Sequence, residues 1–357
     1  MLPFQRRGFN FAYNCSHNHL YINQKQMNLA QYPKLGNFIK ISASENQTKI
    51  KGTIGINDSH IYTWKFHPNI MTWGYWSAGW SGSTQRVSKI DPNKQIVYIE
   101  EASRISYPPK QGKPIMFFNI LEEIKYPGDF CIDFETKIIY FLPFEKLNSK
   151  TEIFLSNLTA PVITAYKKRD IIIKDLSIEC TSHHGIRLTQ CNNVLIERLK
   201  IFNIGMDGIN CNGNNITIRN CLIHNTFDNG IFIVGGNRLT LENGNNLIYR
   251  TEIYWFGNLS RNYYVAVAAY GVGTTIRNCL FYNAPHSAVI WGGNDHIFEY
   301  NEFHDILMES DDAGVFYTGS DYTYQGNIFR YNYIHDCRQA PSKFIIGIYF
   351  DFCSGGV

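Results

Sequence analysis

Apolar and polar positions in the second half of the chain follow an eight-residue pattern: three mostly apolar residues, a polar middle and an apolar close. It reads IIIKDLSI from Ile171, VLIERLKI from Val194, ITIRNCLI from Ile216, TTIRNCLF from Thr274, HIFEYNEF from His296 and NIFRYNYI from Asn327. A degenerate copy, LTLENGNN, starts at Leu239. The copies begin 23, 22, 23, 35, 22 and 31 residues apart. Short apolar strands repeating near 22 residues, with Gly and Asn between them, predict a parallel β-helix. Steps longer than 22 mark inserted loops, where function usually sits.

A second strand motif follows each octet: HGIRL at His184, DGINC at Asp207, NGIFI at Asn229, VAVAA at Val265, SAVIW at Ser287, AGVFY at Ala313 and IGIYF at Ile346. Its offsets from the octets place insertions of about 13, 4 and 6 residues in the fourth, sixth and seventh rungs. Rungs stack at about 4.8 Å, so loops entering at one corner are neighbours in space. Period-two alternation puts Ile186, Ile209, Ile231, Val267, Val289, Val315 and Ile348 inside. The adjacent column, Gly185, Gly208, Gly230, Ala266, Ala288, Gly314 and Gly347, then faces out as a shallow trough for a ligand, unless its glycines only ease the start of a strand. Two residues earlier stand His183, Met206, Asp228, Tyr264, His286, Asp312 and Ile345, also outward.

Candidate chemistry gathers in the last rungs. Neighbouring His286 and Asp312 form a candidate acid/base pair. Glu309, Asp311 and Asp312 crowd one insertion, which reads as a solvated acidic loop, a Ca²⁺ site or the carboxylate of a glycoside-cleaving centre. Consecutive Asp311 and Asp312 point opposite ways in extended chain, and parity selects Asp312. A second carboxylate is required about 5–9.5 Å away. Asp351 shares the outward parity, but six residues of strand offset put it about 20 Å from Asp312. Glu309 and Asp321 are the alternatives. Tyr317, Trp291, Arg187 and Asp228 complete the candidate substrate contacts. His224, His304 and His335, with Phe202 and Tyr282, recur at one position before Asn or Asp and read as a structural turn ladder.

Residues 20–160 pattern differently. Strand-like runs at Asn37–Ile41, Gln95–Glu100, Lys137–Leu142 and Glu152–Leu155 are broken by Pro and Gly, predicting a β-rich, sandwich-like module. Trp64, Trp73, Tyr75, Trp76 and Trp80 form its core or a sugar-stacking surface. Residues 1–19 read as a remnant or linker, and 161–357 as the β-helix.

Composition refines this picture modestly. The chain of 357 residues has no apolar run long enough to span a membrane, and its start lacks the apolar stretch of a signal peptide. A net charge of +3 with both signs interspersed indicates no nucleic-acid partner. Aromatic residues make up 15% and Asn is abundant, which suits Asn-rich β-turns and carbohydrate contact. The nine cysteines show no metal-ligand spacing. Those on the repeat read as small apolar stacking residues. Six N-x-S/T sequons are weak signs of secretion. Nothing in the sequence reports an oligomeric state.

The run NEFHDILMESDDAGVFYTGSDYTYQGNIFRYNYIHD, from Asn301 to Asp336, resembles the signature of bacterial right-handed parallel β-helix glycoside hydrolases, as do APHSAVIWGGNDH and IGIYFDFCSGG. LYINQKQMNLAQYPKLGNFIKI, GYWSAGW and FFNILEEIKYPGDFCIDFETKIIYFLP resemble segments of the β-sandwich-like module inserted in that family. The resemblance implies an extracellular or periplasmic enzyme acting on plant or mucin-type poly- or oligosaccharides through two acids, carried here by Asp311 or Asp312 and by Asp351, without a cofactor. Ser320 stands where the family tends to have Arg, and Phe352 where it tends to have a second Asp. The chain also stops after the seventh rung, implying a truncated or divergent copy. A β-helix polysaccharide lyase or epimerase, with Arg187 or Tyr349 as base, and a non-catalytic glycan-binding solenoid are the alternative functions.

Overall fold

The computed structural model describes residues 1–9, 14–34, 36–67, 69–100, 105–337 and 344–352. The chain divides into two compact units, Met1–Asn157 and Leu158–Val357. Among the described residues no helix is long and apolar enough to cross a membrane.

The first unit is built on an antiparallel sheet. Strand Pro114–Phe118 pairs with Met71–Gly74, and that strand with Ser83–Asp91. Trp64, Trp73, Tyr75 and Trp76 are buried, so four of the five clustered aromatics serve the core. Trp80 is half-buried between the rings of Phe9 and Tyr107. Where a linker was expected, the N-terminal segment carries core side chains. Phe4 packs with Met71, Trp73, Met116 and Phe118, and the Arg7 N–H donates to Thr84 Oγ1 at 2.6 Å.

The second unit is a right-handed parallel β-helix. Each octet proves to be two strands rather than one. Its first half joins the larger sheet, as in Thr274–Arg277 and Ile297–Glu299. Its second half joins a separate sheet, as in Leu280–Tyr282 and Glu302–His304. Between the halves Asp175, Arg198, Asn220, Arg250, Asn278, Tyr300 and Tyr331 have φ between 48° and 57°. This left-handed conformation turns the strand and explains the frequent Asn and Asp there. A second left-handed ladder includes Asn203, Asn225, Asn283, Asp305 and Asp336. Before it the rings of Phe202, His224, Tyr254, Tyr282, His304 and His335 stack at 4.7–5.3 Å, the structural ladder read from the sequence.

Three features differ from the sequence reading. The fourth-rung strand is Asn246–Tyr249, paired with Ile209–Arg219 and Thr274–Arg277, not LTLENGNN. Leu239 is 96% exposed. The extra residues therefore split between a turn near Asn237–Glu242 and a loop before Val265. Next, the glycine column faces the interior. Ala266 and Ala288 are fully buried in the core, and a methyl on Gly208 would meet Ile223 Cγ2 at 2.8 Å. Strand alternation fails at this corner because the opposing sheet's isoleucines fill the space, so only Gly or Ala fits. Last, the sixth rung is displaced by one residue. Val289 pairs with Phe316, not Val315, and Phe316 with Ile348.

Cys191, Cys211, Cys221 and Cys279 are free thiols in the core, as a stacking role requires. Cys353 lies outside the described residues. So does residue range 338–343, on which most of the expected seventh-rung insertion falls.

Candidate active site

The outward column of the larger sheet follows directly from the pairing. It runs Arg187, Asn210, Phe232, Ala268, Ile290, Tyr317 and Tyr349. It begins polar, turns apolar in the middle, and ends in two tyrosines. On the middle rungs Val265, Ala268 and Ile290 are buried under Phe232, Tyr263, Tyr270 and Tyr317.

The last two rungs bring the leading acids together. The Tyr349 hydroxyl donates to Asp312 Oδ1 at 2.8 Å, and the Asp351 carboxylate is near enough for its charge to act on the phenol. The Tyr317 hydroxyl donates to Asp351 Oδ2 at 2.7 Å. The rings of these two tyrosines are 5.6 Å apart and so link the two carboxyl groups across the last two rungs. The separation of about 20 Å inferred from strand offset is thus overturned.

Two local departures from ideal strand geometry explain the closure. Asp312 takes a left-handed φ of 51° just before the strand. Gly314 then lies beneath Tyr349, where a methyl would meet Tyr349 Cβ at 2.6 Å and Phe316 O at 2.5 Å. A kink here absorbs the sixth rung's extra residue and lets the Tyr349 ring bridge the strand. Gly319 similarly admits Asp351, with the Asp351 Cβ 3.1 Å from an added methyl.

The surrounding charges are accounted for. Arg261, on the fourth-rung loop, forms a bidentate ion pair with Glu309. Asn262 Nδ2 donates to Ser310 Oγ at 3.1 Å. The two inserted loops are therefore tied at one corner, as their shared position predicted. The three acids of the sixth rung diverge: Glu309 meets Arg261, Asp311 accepts from the Asp312 N–H at 2.9 Å, and Asp312 meets Tyr349. Among the described residues no group of three or more His, Cys, Asp or Glu is arranged to hold a metal. Burial, the hydrogen bond to Asp312 and the nearby carboxylate charges push the Tyr349 phenol well above its ordinary range. Burial, Tyr263 and Asp351 do the same for Tyr317. Both tyrosines therefore remain hydrogen-bond donors.

The other candidates sit elsewhere. His286 is 1% exposed, and burial lowers its imidazole to about 3. Neither ring nitrogen has a hydrogen-bond partner, and its ring lies 4.8 Å from that of Tyr263. It supports the floor of the site and forms no pair with Asp312. Trp291 occupies an inward position, 1% exposed among Phe298, Phe329 and Phe350, so it offers no ligand surface. Asp228 is buried and accepts from Ser260 Oγ at 3.1 Å, anchoring the fourth-rung loop. Arg187 lies near the start of the outward column, one strand after Thr164 and six strands from Tyr349, or about 29 Å. Asp321 pairs with Arg238 at 3.3 Å and caps the Thr323 N–H.

Sequence reasoning missed Tyr263 as a member of the site. Its ring meets that of Tyr317 edge-on at 5.9 Å, and it has φ 59°, rare for a bulky residue. Its signal was its place at the end of an insertion. Tyr349 was visible as an outward residue two before Asp351.

Comparison with known families matches residues 161–262 and 265–357 to the family described as the right-handed beta helix region. A solved structure described as a glycoside hydrolase superposes with a TM-score of 0.70 at 12% identity, over 98% of this chain and 77% of the other. That likeness establishes the shared fold. Comparison with curated proteins gives no match.

Proposed function

The chain belongs to the right-handed β-helix family, and from that premise we propose that it is a glycoside hydrolase whose acids are Asp312 and Asp351. The observation that carries this reading is the pair of neighbouring tyrosines on the outer face of the last rungs, Tyr349 bonded to Asp312 and Tyr317 to Asp351. In such a reaction one acid protonates the leaving oxygen while the other carboxylate attacks the sugar or activates a water. Asp351 accepts a hydrogen bond from Tyr317, which orients its carboxylate as a nucleophile or base requires. Asp312 is exposed at the mouth of the strand, where it can reach both a leaving oxygen and water. The half-buried tyrosines nearby suit a sugar's apolar faces. The substrate class is a plant or mucin-type glycan, and the site of action extracellular or periplasmic.

A lyase reading with Arg187 as base is disfavoured by its distance of about 29 Å from Tyr349. The test is incubation with a panel of aryl glycosides and plant and mucin glycans, following new reducing ends and unsaturated sugar absorbance separately. Asp312→Asn and Asp351→Asn should each lower hydrolysis at least about a hundredfold. Unsaturated products, or full hydrolysis by both variants, would overturn the assignment.

A further inference from the structure

The left-handed turn between the two halves of each octet, with the residue before it, makes one corner of the β-helix. Along the first three rungs the charges at this corner are matched. Arg198 Nε and Nη2 donate to the Asp175 carboxylate at 2.6 and 2.8 Å, and Arg198 Nη1 lies 2.8 Å from Glu197. Arg219 holds the other Glu197 oxygen at 2.7 Å. On the last two rungs Arg330 holds Glu299 at 2.7 Å. The fourth and fifth rungs break this pattern. Arg250 and Arg277 are both exposed there, and their backbones are joined by the Arg250 N–H, which donates to the Arg277 carbonyl at 3.3 Å. Among the described residues neither guanidinium has a carboxylate partner. Glu299 faces Arg277 in the strand register, but it is the carboxylate that Arg330 occupies.

Both guanidinium carbons lie 5.0 Å from the centre of the Tyr249 ring, so one aromatic side chain steadies two like charges. Like charges gathered on one ring repel, and an anion bound by both removes that repulsion. Further along the same corner stand Tyr300 and Tyr331, stacked at 4.8 Å and 53% and 68% exposed. They take left-handed φ values of 55° and 56°, which bulky residues seldom do. The other rungs give this position to Asn, Asp or Arg.

We propose that this corner is a second carbohydrate-binding site, in which Arg250 and Arg277 clamp a carboxylate or sulfate of an acidic polysaccharide and Tyr300 and Tyr331 contact the sugars beside it. Guanidinium groups take both anions through paired, charge-assisted hydrogen bonds. Side chains stacked rung upon rung at about 4.8 Å repeat along a line, as the units of an extended polysaccharide do. Tyrosine offers a sugar ring an apolar body with a polar tip. Neither the acid pair nor its tyrosines belong to this corner, so the site stands whether or not the chain cleaves a glycan.

The experiment is isothermal titration of the full chain with polygalacturonate and with dextran sulfate, each beside its uncharged counterpart, methyl-esterified polygalacturonate and dextran. At least one acidic chain should bind, the tighter of the two naming the anion, and neither uncharged chain should. The double variant Arg250→Gln, Arg277→Gln alters only exposed side chains and should keep the wild-type circular dichroism melt. It should weaken binding by about tenfold or more. Arg219→Gln removes the same charge as Arg277→Gln, but its guanidinium is already held by Glu197, so affinity should change little. Asp312→Asn and Asp351→Asn should bind as the wild type does, which separates this site from the proposed reaction. No binding of either acidic chain would overturn the proposal. So would equal weakening by Arg219→Gln and Arg277→Gln, or a DNA duplex bound as tightly as the acidic polysaccharide. Affinity lost in Asp312→Asn but kept in the double arginine variant would place the polysaccharide at the acid pair and overturn it too.

Discussion

The inward glycine column makes a sharp stability prediction. A methyl on Gly230 would stand 2.5 Å from Ile253 Cγ2 and 2.8 Å from the Ala266 carbonyl oxygen. Both neighbours are fixed, one in the core and one in the sheet backbone. Overpacking of this kind costs about 1–3 kcal/mol. On Gly347, at the last rung, the same methyl meets, among the described residues, only Ile334 Cδ1, at 3.7 Å. Neither glycine has a positive φ, so replacing it with Ala also restricts the unfolded chain, a gain of about 0.4–1 kcal/mol. Gly347→Ala should thus be neutral or stabilising, while Gly230→Ala loses about 1–2 kcal/mol net. The gap of about 1–3 kcal/mol corresponds to about 2–12 °C in melting temperature for a unit of this size. Thermal unfolding followed by far-UV circular dichroism measures it. If Gly230→Ala melted with Gly347→Ala, at or above the wild type, the column would face solvent and the interior assignment would be wrong.

Other consequences are equally open to measurement. Trp291→Ala should cost about 3–5 kcal/mol in urea unfolding, because the ring fills the core; a loss of glycan affinity at unchanged stability would contradict its interior position. Arg261→Met leaves Glu309 without its partner in a site where both side chains are at most 16% exposed. It should weaken the tie between the inserted loops by about 1–3 kcal/mol, seen as faster limited proteolysis within residues 256–262. His286 is held neutral by burial, with its folded pKa near 3 against an ordinary 6.5. Its contribution is intact above pH 6.5 and is lost as pH falls towards 3, at about 1.4 kcal/mol per unit. His286→Leu removes that loss, so its stability relative to wild type should rise by about 2.7 kcal/mol between pH 7.5 and 4.5. A pH-independent difference in urea midpoints would refute it.

The octet spacing by itself determined the solenoid, the number of rungs and the corner at which loops enter. These depend on local chemistry: branched residues that favour strands, Asn and Asp that accept left-handed turns, and a period that sets the stacking. Phe202, His224, Tyr282, His304 and His335 were readable as a ladder for the same reason. Asp312, Asp351, Tyr317 and Tyr349 were also visible as outward residues of the last rungs. Which faces and partners they have was decided only in three dimensions. Alternation assigned Gly185, Gly208 and Gly230 outward because it assumes a straight strand, whereas a corner turns two successive residues inward. His286 and Asp228 carry polar side chains that pattern as surface, yet loops from other rungs bury them. The kink at Gly314 and the left-handed Asp312 are single-residue events with no periodic signature. They let the Tyr349 hydroxyl reach Asp312 beside the Tyr317–Asp351 bond, because a long side chain lying along a strand spans a gap that backbone spacing alone leaves open.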